Sequence, residues 1–116
     1  MLPYIPDYRK AVKELMRVTK KHVFIRPVLS DYTHVVKIFY EGFKEGAPYH
    51  YYNIYSEDEF LKYLKRCGAR KIRVYEDQSK VKLKKKSGFP LSTHSYGKLE
   101  IYGNVILTWK VVHAIK

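Results

Sequence analysis

The sequence predicts a single α/β domain over residues 1–116, with about three to four strands and two to three helices. Apolar residues recur at helical spacing in the segments 8–19 and 56–67. Nearly continuous apolar runs, rich in β-branched residues, lie at 22–29 and 104–115. Helical patterns that alternate with strand patterns indicate helices packed on a sheet. A chain of 116 residues buries roughly two-thirds of its surface on folding, so we expect one modest core.

The first helix is predicted over residues 8–19. Asp7 is a suitable N-cap, because its carboxylate can accept a hydrogen bond from an amide of the first turn. One apolar stripe at helical spacing consists of Ala11, Val12, Leu15 and Met16. This stripe is the expected contact with the core.

Residues 22–29 are predicted to form a strand that is buried on both faces of a parallel sheet, with Pro27 near its end. The segment from Asp31 to about Phe43 is a candidate second helix. Its apolar positions are Val35, Val36, Phe39 and Tyr40, and the helix is expected to break at Gly42, Gly46 and Pro48.

The capping box Ser56-Glu57-Asp58-Glu59 predicts the start of another helix. In this motif the Ser56 hydroxyl and the Glu59 carboxylate each bind a backbone amide that the helix leaves free. Gly68 is expected to end the helix in a left-handed conformation. The predicted buried face consists of Phe60, Leu61, Tyr63, Leu64 and Cys67. A strand is expected to follow at Lys71–Tyr75.

The C-terminal run from Asn104 to Ile115 predicts a long, largely buried strand in which odd-numbered and even-numbered residues lie on opposite faces. Before it, Leu99, Ile101 and Tyr102 form either a short partner strand or the approach to the long strand.

The chain is strongly basic, with 23 Lys and Arg against 11 Asp and Glu and a formal charge of +12. The charge is concentrated at Lys80, Lys82, Lys84, Lys85 and Lys86, and Ser87 and Gly88 follow, which predicts a mobile basic loop. Such a loop attracts phosphates, although lysine-rich surfaces also occur as solvated faces in thermophiles. The scarcity of Asn and Gln, found at Asn53, Gln78 and Asn104, is consistent with a thermophilic archaeal or viral source.

The sequence has no apolar run near the roughly 20 residues that span a bilayer and no secretory signal, so we expect a cytoplasmic protein. The single cysteine, Cys67, is expected to be a packing residue. No metal is expected, because Cys67 has no second thiol or nearby histidine pair at metal-ligand spacing.

The order of these elements resembles the C-terminal half of a class I S-adenosylmethionine-dependent methyltransferase. The segments that carry the resemblance are residues 2–7, 8–20, 22–26, 53–60, 68–74 and 106–114. They are similar, in this order, to the end of the family's fourth strand, the helix after it, the fifth strand, the entry to the next helix, the sixth strand and the closing strand. The resemblance implies a partial Rossmann-like sheet whose last strand is antiparallel.

The resemblance also implies an incomplete domain. The family binds its cofactor with a glycine-rich turn after the first strand and an acidic residue after the second, and this chain has neither. We therefore expect no cofactor on the isolated chain and no methyl transfer by it. A complementary methyltransferase chain could supply the missing half. The uncovered edge of the strand at 22–29 predicts self-association, most simply as a homodimer.

Aromatic residues before the capped helix, Tyr49, His50, Tyr51 and Tyr52, lie where the resemblance places a substrate-facing lid, and so does the basic loop. Rings interleaved with cations suit stacking on bases and neutralisation of phosphates. The alternative is that these tyrosines are core or dimer-contact residues. No histidine has a nucleophile or acid partner at recognisable spacing, and we expect no catalytic residue.

Three functions follow as hypotheses from the sequence. The favoured one is a non-catalytic, methyltransferase-like remnant that acts as a small basic binding protein for nucleic acid. The second is a methyltransferase subunit that another chain completes. The third is a structural homo-oligomerisation module.

Overall fold

The structure is a computed structural model, which describes residues 2–39, 49–76, 83–87, 93–102 and 110–116. The described chain begins with a 3₁₀ turn at Leu2–Tyr4 and contains the helices α1 (Tyr8–Val18) and α2 (Glu57–Arg66). The strands are β1 (His22–Ile25), β2 (Leu29–Ser30), β3 (Lys37–Phe39), β4 (Tyr49–Tyr51), β5 (Tyr55–Ser56), β6 (Lys71–Glu76), β7 (Lys84–Ser87), β8 (Thr93–Tyr96), β9 (Leu99–Tyr102) and β10 (Lys110–Ile115).

The strands of the described residues form four small sheets. In the first sheet, β10 lies between β1 and β6 and is antiparallel to both. The strands β3 and β4 form an antiparallel pair, and β7, β8 and β9 form an antiparallel sheet. A short parallel pairing joins β2 to β5.

The core lies between the two helices and one face of the β1–β10–β6 sheet. α1 contributes Val12 and Met16, and α2 contributes Phe60 and Leu64, all fully buried. The sheet contributes the side chains that face the helices, which are those of Val23, Ile25, Val112 and Ala114. Ile72 and Val74 are partly buried and pack against this core. Because strand side chains alternate between faces, the remaining residues of these strands lie on the face away from the helices.

The buried side chain of Asn53 joins three parts of this fold. Its Oδ1 accepts a hydrogen bond from the Val36 amide at 3.0 Å, and its Nδ2 donates to the carbonyl oxygen of Ile5. Its backbone amide donates to the Pro3 carbonyl oxygen at 2.7 Å. Nearby, the Tyr55 hydroxyl donates to the Leu2 carbonyl oxygen at 2.6 Å. The N-terminal turn is thereby fixed to the segment that precedes α2.

The predicted fold class is wrong, because the described strands form several small, mostly antiparallel sheets with two helices rather than one Rossmann-like α/β sheet. The strand predicted at 22–29 ends at Ile25, and it lies at the edge of an antiparallel sheet. Burial on both faces is also wrong for this strand, since the Phe24 side chain is 65% exposed. Both described helices lie on one face of this sheet, whereas a doubly covered parallel sheet has helices on both faces.

The locally encoded elements are confirmed. α1 begins after Asp7, whose carboxylate accepts from the Arg9 amide at 2.9 Å. α2 begins after Ser56 and is followed by Gly68, whose φ is +106°. The strand expected at Lys71–Tyr75 is β6, and the closing strand is antiparallel as expected.

Only half of the predicted capping box forms. The Ser56 hydroxyl accepts from the Glu59 amide at 3.4 Å. The Ser56 amide, which the Glu59 carboxylate was expected to bind, donates instead to the Thr33 hydroxyl oxygen at 2.9 Å. A contact distant in sequence has therefore replaced the local one.

The helix predicted over residues 31–43 is wrong for the described part of that segment. Residues 31–39 run into β3, and His34 forms an antiparallel bridge with Ile54. The β-branched residues of this segment suit an extended chain, and residues 49–54 supply the backbone partners. Residues 40–43 lie outside the described residues.

The predicted basic loop is wrong for Lys84, Lys85 and Lys86. These residues lie on β7, which pairs with β8. Lys80 and Lys82 lie outside the described residues. The segment Leu99–Tyr102 is a strand, β9, and its partner among the described strands is β8. Of the closing strand, the structure describes Lys110–Ile115.

The described helices include none that is long and apolar enough to cross a membrane.

Candidate nucleic-acid interface

The face of the β1–β10–β6 sheet away from the helices is aromatic and basic, and we call it the open face. It consists of His22, Phe24, Lys71, Arg73, Tyr75, Val111, His113 and Ile115. None of these residues is acidic. The open face therefore offers rings and positive charge without a carboxylate to repel an anion.

Phe24 and His113 form a stacked pair at the centre of the open face. The two residues are direct cross-strand partners, which brings their side chains close together. Their ring centroids are 4.3 Å apart and their ring planes differ by 9°. Because the Phe24 side chain is 65% exposed, the pair presents ring surface to solvent.

His22 supports the same pair from the side. Its Nδ1 lies 3.0 Å from Nε2 of His113, at hydrogen-bond distance. Such a bond needs one nitrogen as donor and the other as acceptor, so it forms when one of the two facing nitrogens is unprotonated. The bond restrains rotation of the His113 ring and holds it parallel to Phe24.

The cations of the open face lie on β6, beside the aromatic pair. Arg73 is the direct cross-strand partner of His113, and Lys71 is the partner of Ile115. Neither forms an ion pair with a residue of the described segments. Tyr75, 49% exposed, extends the face in the other direction along β6. Phe24, His113 and Arg73 thus form a row across three strands, from an aromatic ring to a guanidinium that has no ion-pair partner among the described residues.

Tyr49 and Tyr51, which the sequence predicted as contact residues, lie on one face of the β3–β4 hairpin. Their cross-strand partners on that face are Phe39 and Lys37. The Lys37 ammonium lies 3.8 Å from the centre of the Tyr49 ring, 5.5 Å from that of Phe39 and 6.0 Å from that of Tyr51. These distances are those of cation–π contacts. Lys37 therefore covers the rings that a base would need.

His50 and Tyr52 do not join these two tyrosines. His50 alternates with them on β4, and its ring centroid lies 6.0 Å from that of Tyr4. The Tyr52 ring lies 6.0 Å from the same tyrosine, and its amide donates to the Val36 carbonyl oxygen. Both rings thus lie beside Tyr4 of the N-terminal turn.

The three predicted lysines that the structure describes are on a different sheet from Tyr49 and Tyr51. Lys84, Lys85 and Lys86 lie on β7, and no strand pairing joins the β7–β8–β9 sheet to the β3–β4 hairpin within the described chain. Lys80 and Lys82 fall outside that part of the chain. The structure thus brings Tyr49 and Tyr51 together but gives no pairing between them and the lysines.

The sequence did not predict that the residues of the open face form one surface. A signal was present, because Lys71, Arg73 and Tyr75 alternate with Ile72 and Val74 in the sequence. That pattern indicates one polar face but leaves open which strands lie beside it. His22 and His113 are distant in sequence, and only the pairing of β1 with β10 brings them together.

The described residues contain no group of three or more His, Cys, Asp or Glu side chains that could hold a metal ion. Comparisons with protein-family models, with curated proteins and with solved structures each gave no match. The resemblance to the methyltransferase family accordingly remains a prediction from the sequence.

Proposed function

We propose that this protein binds single-stranded nucleic acid on the open face of the β1–β10–β6 sheet, with little sequence preference. The observation that supports the proposal most is the exposed stack of Phe24 on His113 in one row with Arg73. Proteins that bind single strands combine aromatic side chains, on which bases stack, with cations that neutralise the backbone. The open face has both.

Base stacking and phosphate contacts on the open face both contribute free energy to the binding of a single strand. Stacking of one base on an aromatic side chain contributes about 1–3 kcal/mol. The open face offers two exposed ring surfaces, at Phe24 and at Tyr75. Lys71 and Arg73 add phosphate contacts, and the formal charge of +12 attracts a polyanion from a distance.

The open face is a better site than the β3–β4 hairpin for two reasons. Its strands are backed by the core, whereas β3 and β4 pair over three residues each. In addition, Lys37 already covers Tyr49, so a base must displace this ammonium before it can stack there. We therefore assign primary binding to the open face.

The decisive experiment is titration of fluorescently labelled oligothymidylate and oligouridylate with the purified protein, followed by anisotropy. We expect Phe24→Ala to weaken binding about tenfold, which corresponds to about 1.4 kcal/mol. Val18→Ala is the matched control, because Val18 is 59% exposed on α1 and lies away from the open face. Its affinity should equal that of the unchanged protein.

Phe39→Ala separates the two aromatic surfaces, since Phe39 is 67% exposed on the hairpin. If Phe39→Ala loses affinity and Phe24→Ala does not, the hairpin is the site and the assignment to the open face is wrong. If no oligonucleotide binds at low salt, the function itself is wrong.

The contribution of the lysine cluster is a separate part of the proposal. Changing Lys82, Lys84, Lys85 and Lys86 to Ser should weaken binding at low salt and reduce its salt dependence. Unchanged binding would remove the cluster from the interface. We also propose a cytoplasmic location, in keeping with a nucleic-acid ligand.

A further inference from the structure

A basic cavity lies between the C-terminal halves of the two helices. Its volume is about 440 Å³, and it is lined by Lys13, Arg17, Tyr63, Arg66 and Cys67. The helices cover the opposite face of the sheet from the open face, so this cavity is not part of the interface proposed above. None of its lining residues is acidic.

The two helices fix the walls of this cavity. Lys13 and Arg17 lie one turn apart on α1, so their side chains project from the same side of the helix. Tyr63 and Cys67 have the same spacing at the end of α2. The Tyr63 hydroxyl donates to the carbonyl oxygen of Arg9 at 2.9 Å, which ties α2 to α1 beside the cavity.

The positive charge of the side chains that line the cavity exceeds the negative charge that the two helix ends and Glu14 supply. Arg17 and Arg66 lie in the last turns of their helices, and each helix end carries roughly half a negative charge. The Glu14 carboxylate binds Arg17, with Nη2 at 2.6 Å from Oε1. Together these groups offset about two of the three positive charges. Lys13 and Arg66 form no ion pair with a described residue, so a net positive charge remains.

We propose that this cavity binds the phosphate group of a small phosphorylated ligand. The guanidinium of Arg66 supplies paired donors that match phosphate oxygens, and the ammonium of Lys13 supplies a compact charge. Arg17 joins them when the anion competes with Glu14. The ligand class follows from this combination, because forked guanidinium donors beside an ammonium suit a doubly charged oxyanion better than a neutral molecule.

Cys67 makes the proposal measurable, because it lines the cavity and is the one cysteine of the chain. The test is the rate at which iodoacetamide alkylates Cys67 in the folded protein, with inorganic pyrophosphate as the probe. We expect pyrophosphate to slow alkylation in a saturable manner. Arg66→Ser and Lys13→Ser should each weaken this protection about tenfold. Lys10→Ser, an exposed change on the same helix outside the lining, should leave it unchanged.

A purely structural role for these cations does not explain the effect that we expect from Glu14→Gln. It releases Arg17, so pyrophosphate should protect Cys67 at lower concentration than in the unchanged protein. Equal protection in Arg66→Ser and in the unchanged protein would overturn the proposal, as would an absence of protection at ten millimolar pyrophosphate, on the order of the weakest specific binding.

Two further protection measurements distinguish binding in the cavity from binding on the open face. Phe24→Ala should retain full protection by pyrophosphate, whatever its effect on oligonucleotide binding. Protection by oligothymidylate but not by pyrophosphate would mean that a nucleic-acid backbone enters the cavity, and the small-ligand proposal would then be wrong.

Discussion

The side-chain amide of Asn53 donates a hydrogen bond to the carbonyl oxygen of Ile5, although 48 positions separate the two residues. The same side chain accepts from the Val36 amide, so one buried residue satisfies two backbone groups from different segments. Asn53 is fully buried, which means that water cannot replace either bond. This pair of bonds holds the N-terminal turn and the β3 segment against the residue that starts the approach to α2.

Replacement of Asn53 by Ala should therefore destabilise the protein strongly. The change leaves the Val36 amide and the Ile5 carbonyl, both in part-buried hydrogen bonds, without these partners, and a group that loses its partner away from water costs about 1–3 kcal/mol. Urea unfolding followed by circular dichroism measures the loss. Tyr55→Phe is the graded comparison, because it removes a single hydroxyl bond to Leu2 and should cost about 1 kcal/mol. A cost for Asn53→Ala no larger than that of Tyr55→Phe would contradict the linking role.

The N-cap of α1 should make stability depend on acid pH. The Arg9 guanidinium and amide, which both donate to Asp7, hold the pKa of this carboxyl below its ordinary value. Because the pKa is lower in the folded state, the carboxylate stabilises the protein above the unfolded-state pKa of about 3.9. That contribution is lost as pH falls through the folded-state pKa.

The variants Asp7→Ala and Asp7→Asn separate the two parts of this effect. Asp7→Ala should cost about 1 kcal/mol at neutral pH through loss of the cap. Asp7→Asn keeps an oxygen acceptor but loses the negative charge. It therefore loses the exposed ion pair with Arg9, worth less than about 1 kcal/mol, and the attraction of the charge to the helix N-terminus. Thermal unfolding between pH 2 and pH 6, a range set by the ordinary Asp pKa, checks both, and the acid dependence should be smaller in either variant.

The salt dependence of oligonucleotide binding should distinguish the cations of the open face from its rings. Arg73→Ser removes a phosphate contact, so the slope of log affinity against log salt should fall by about one. Phe24→Ala removes stacking and should lower affinity at every salt concentration with the slope unchanged. Anisotropy titrations at several salt concentrations measure both quantities. A changed slope in Phe24→Ala would assign its effect to altered charge rather than to stacking.

Self-association through β1 is still a prediction, and the structure adds a condition to it. β1 is an edge strand among the described strands, which favours pairing with a second copy. Lys20 and Lys21 precede it, and their charges repel those of a second chain. Salt screens this repulsion, so light scattering should show more dimer at high salt than at low salt. A monomer mass under both conditions, at micromolar protein, would contradict self-association.

Helix α1, helix α2 and strand β6 could be predicted from sequence because their causes are local. The apolar stripe of α1, of which Val12 and Met16 are buried and Ala11 and Leu15 are exposed, acts within two helical turns. So do the caps Asp7 and Ser56 and the turn at Gly68. The helix predicted over residues 31–43 is wrong for its described part, residues 31–39, for the opposite reason. Its apolar spacing fits a helix, but distant partners at 49–54 offer hydrogen bonds to an extended chain, and the same residues suit a strand.

The sequence by itself also determined the charge of the protein, and with it the expectation of a phosphate-bearing partner. Only the tertiary structure decided which rings and cations lie together. Phe24, His113 and Arg73 belong to three separate segments, and insertion of β10 between β1 and β6 places them in one row. Strand register depends on pairing across long stretches of chain, whereas helix caps depend on neighbours, and this difference is the physical reason that the helices were predictable and the site was not.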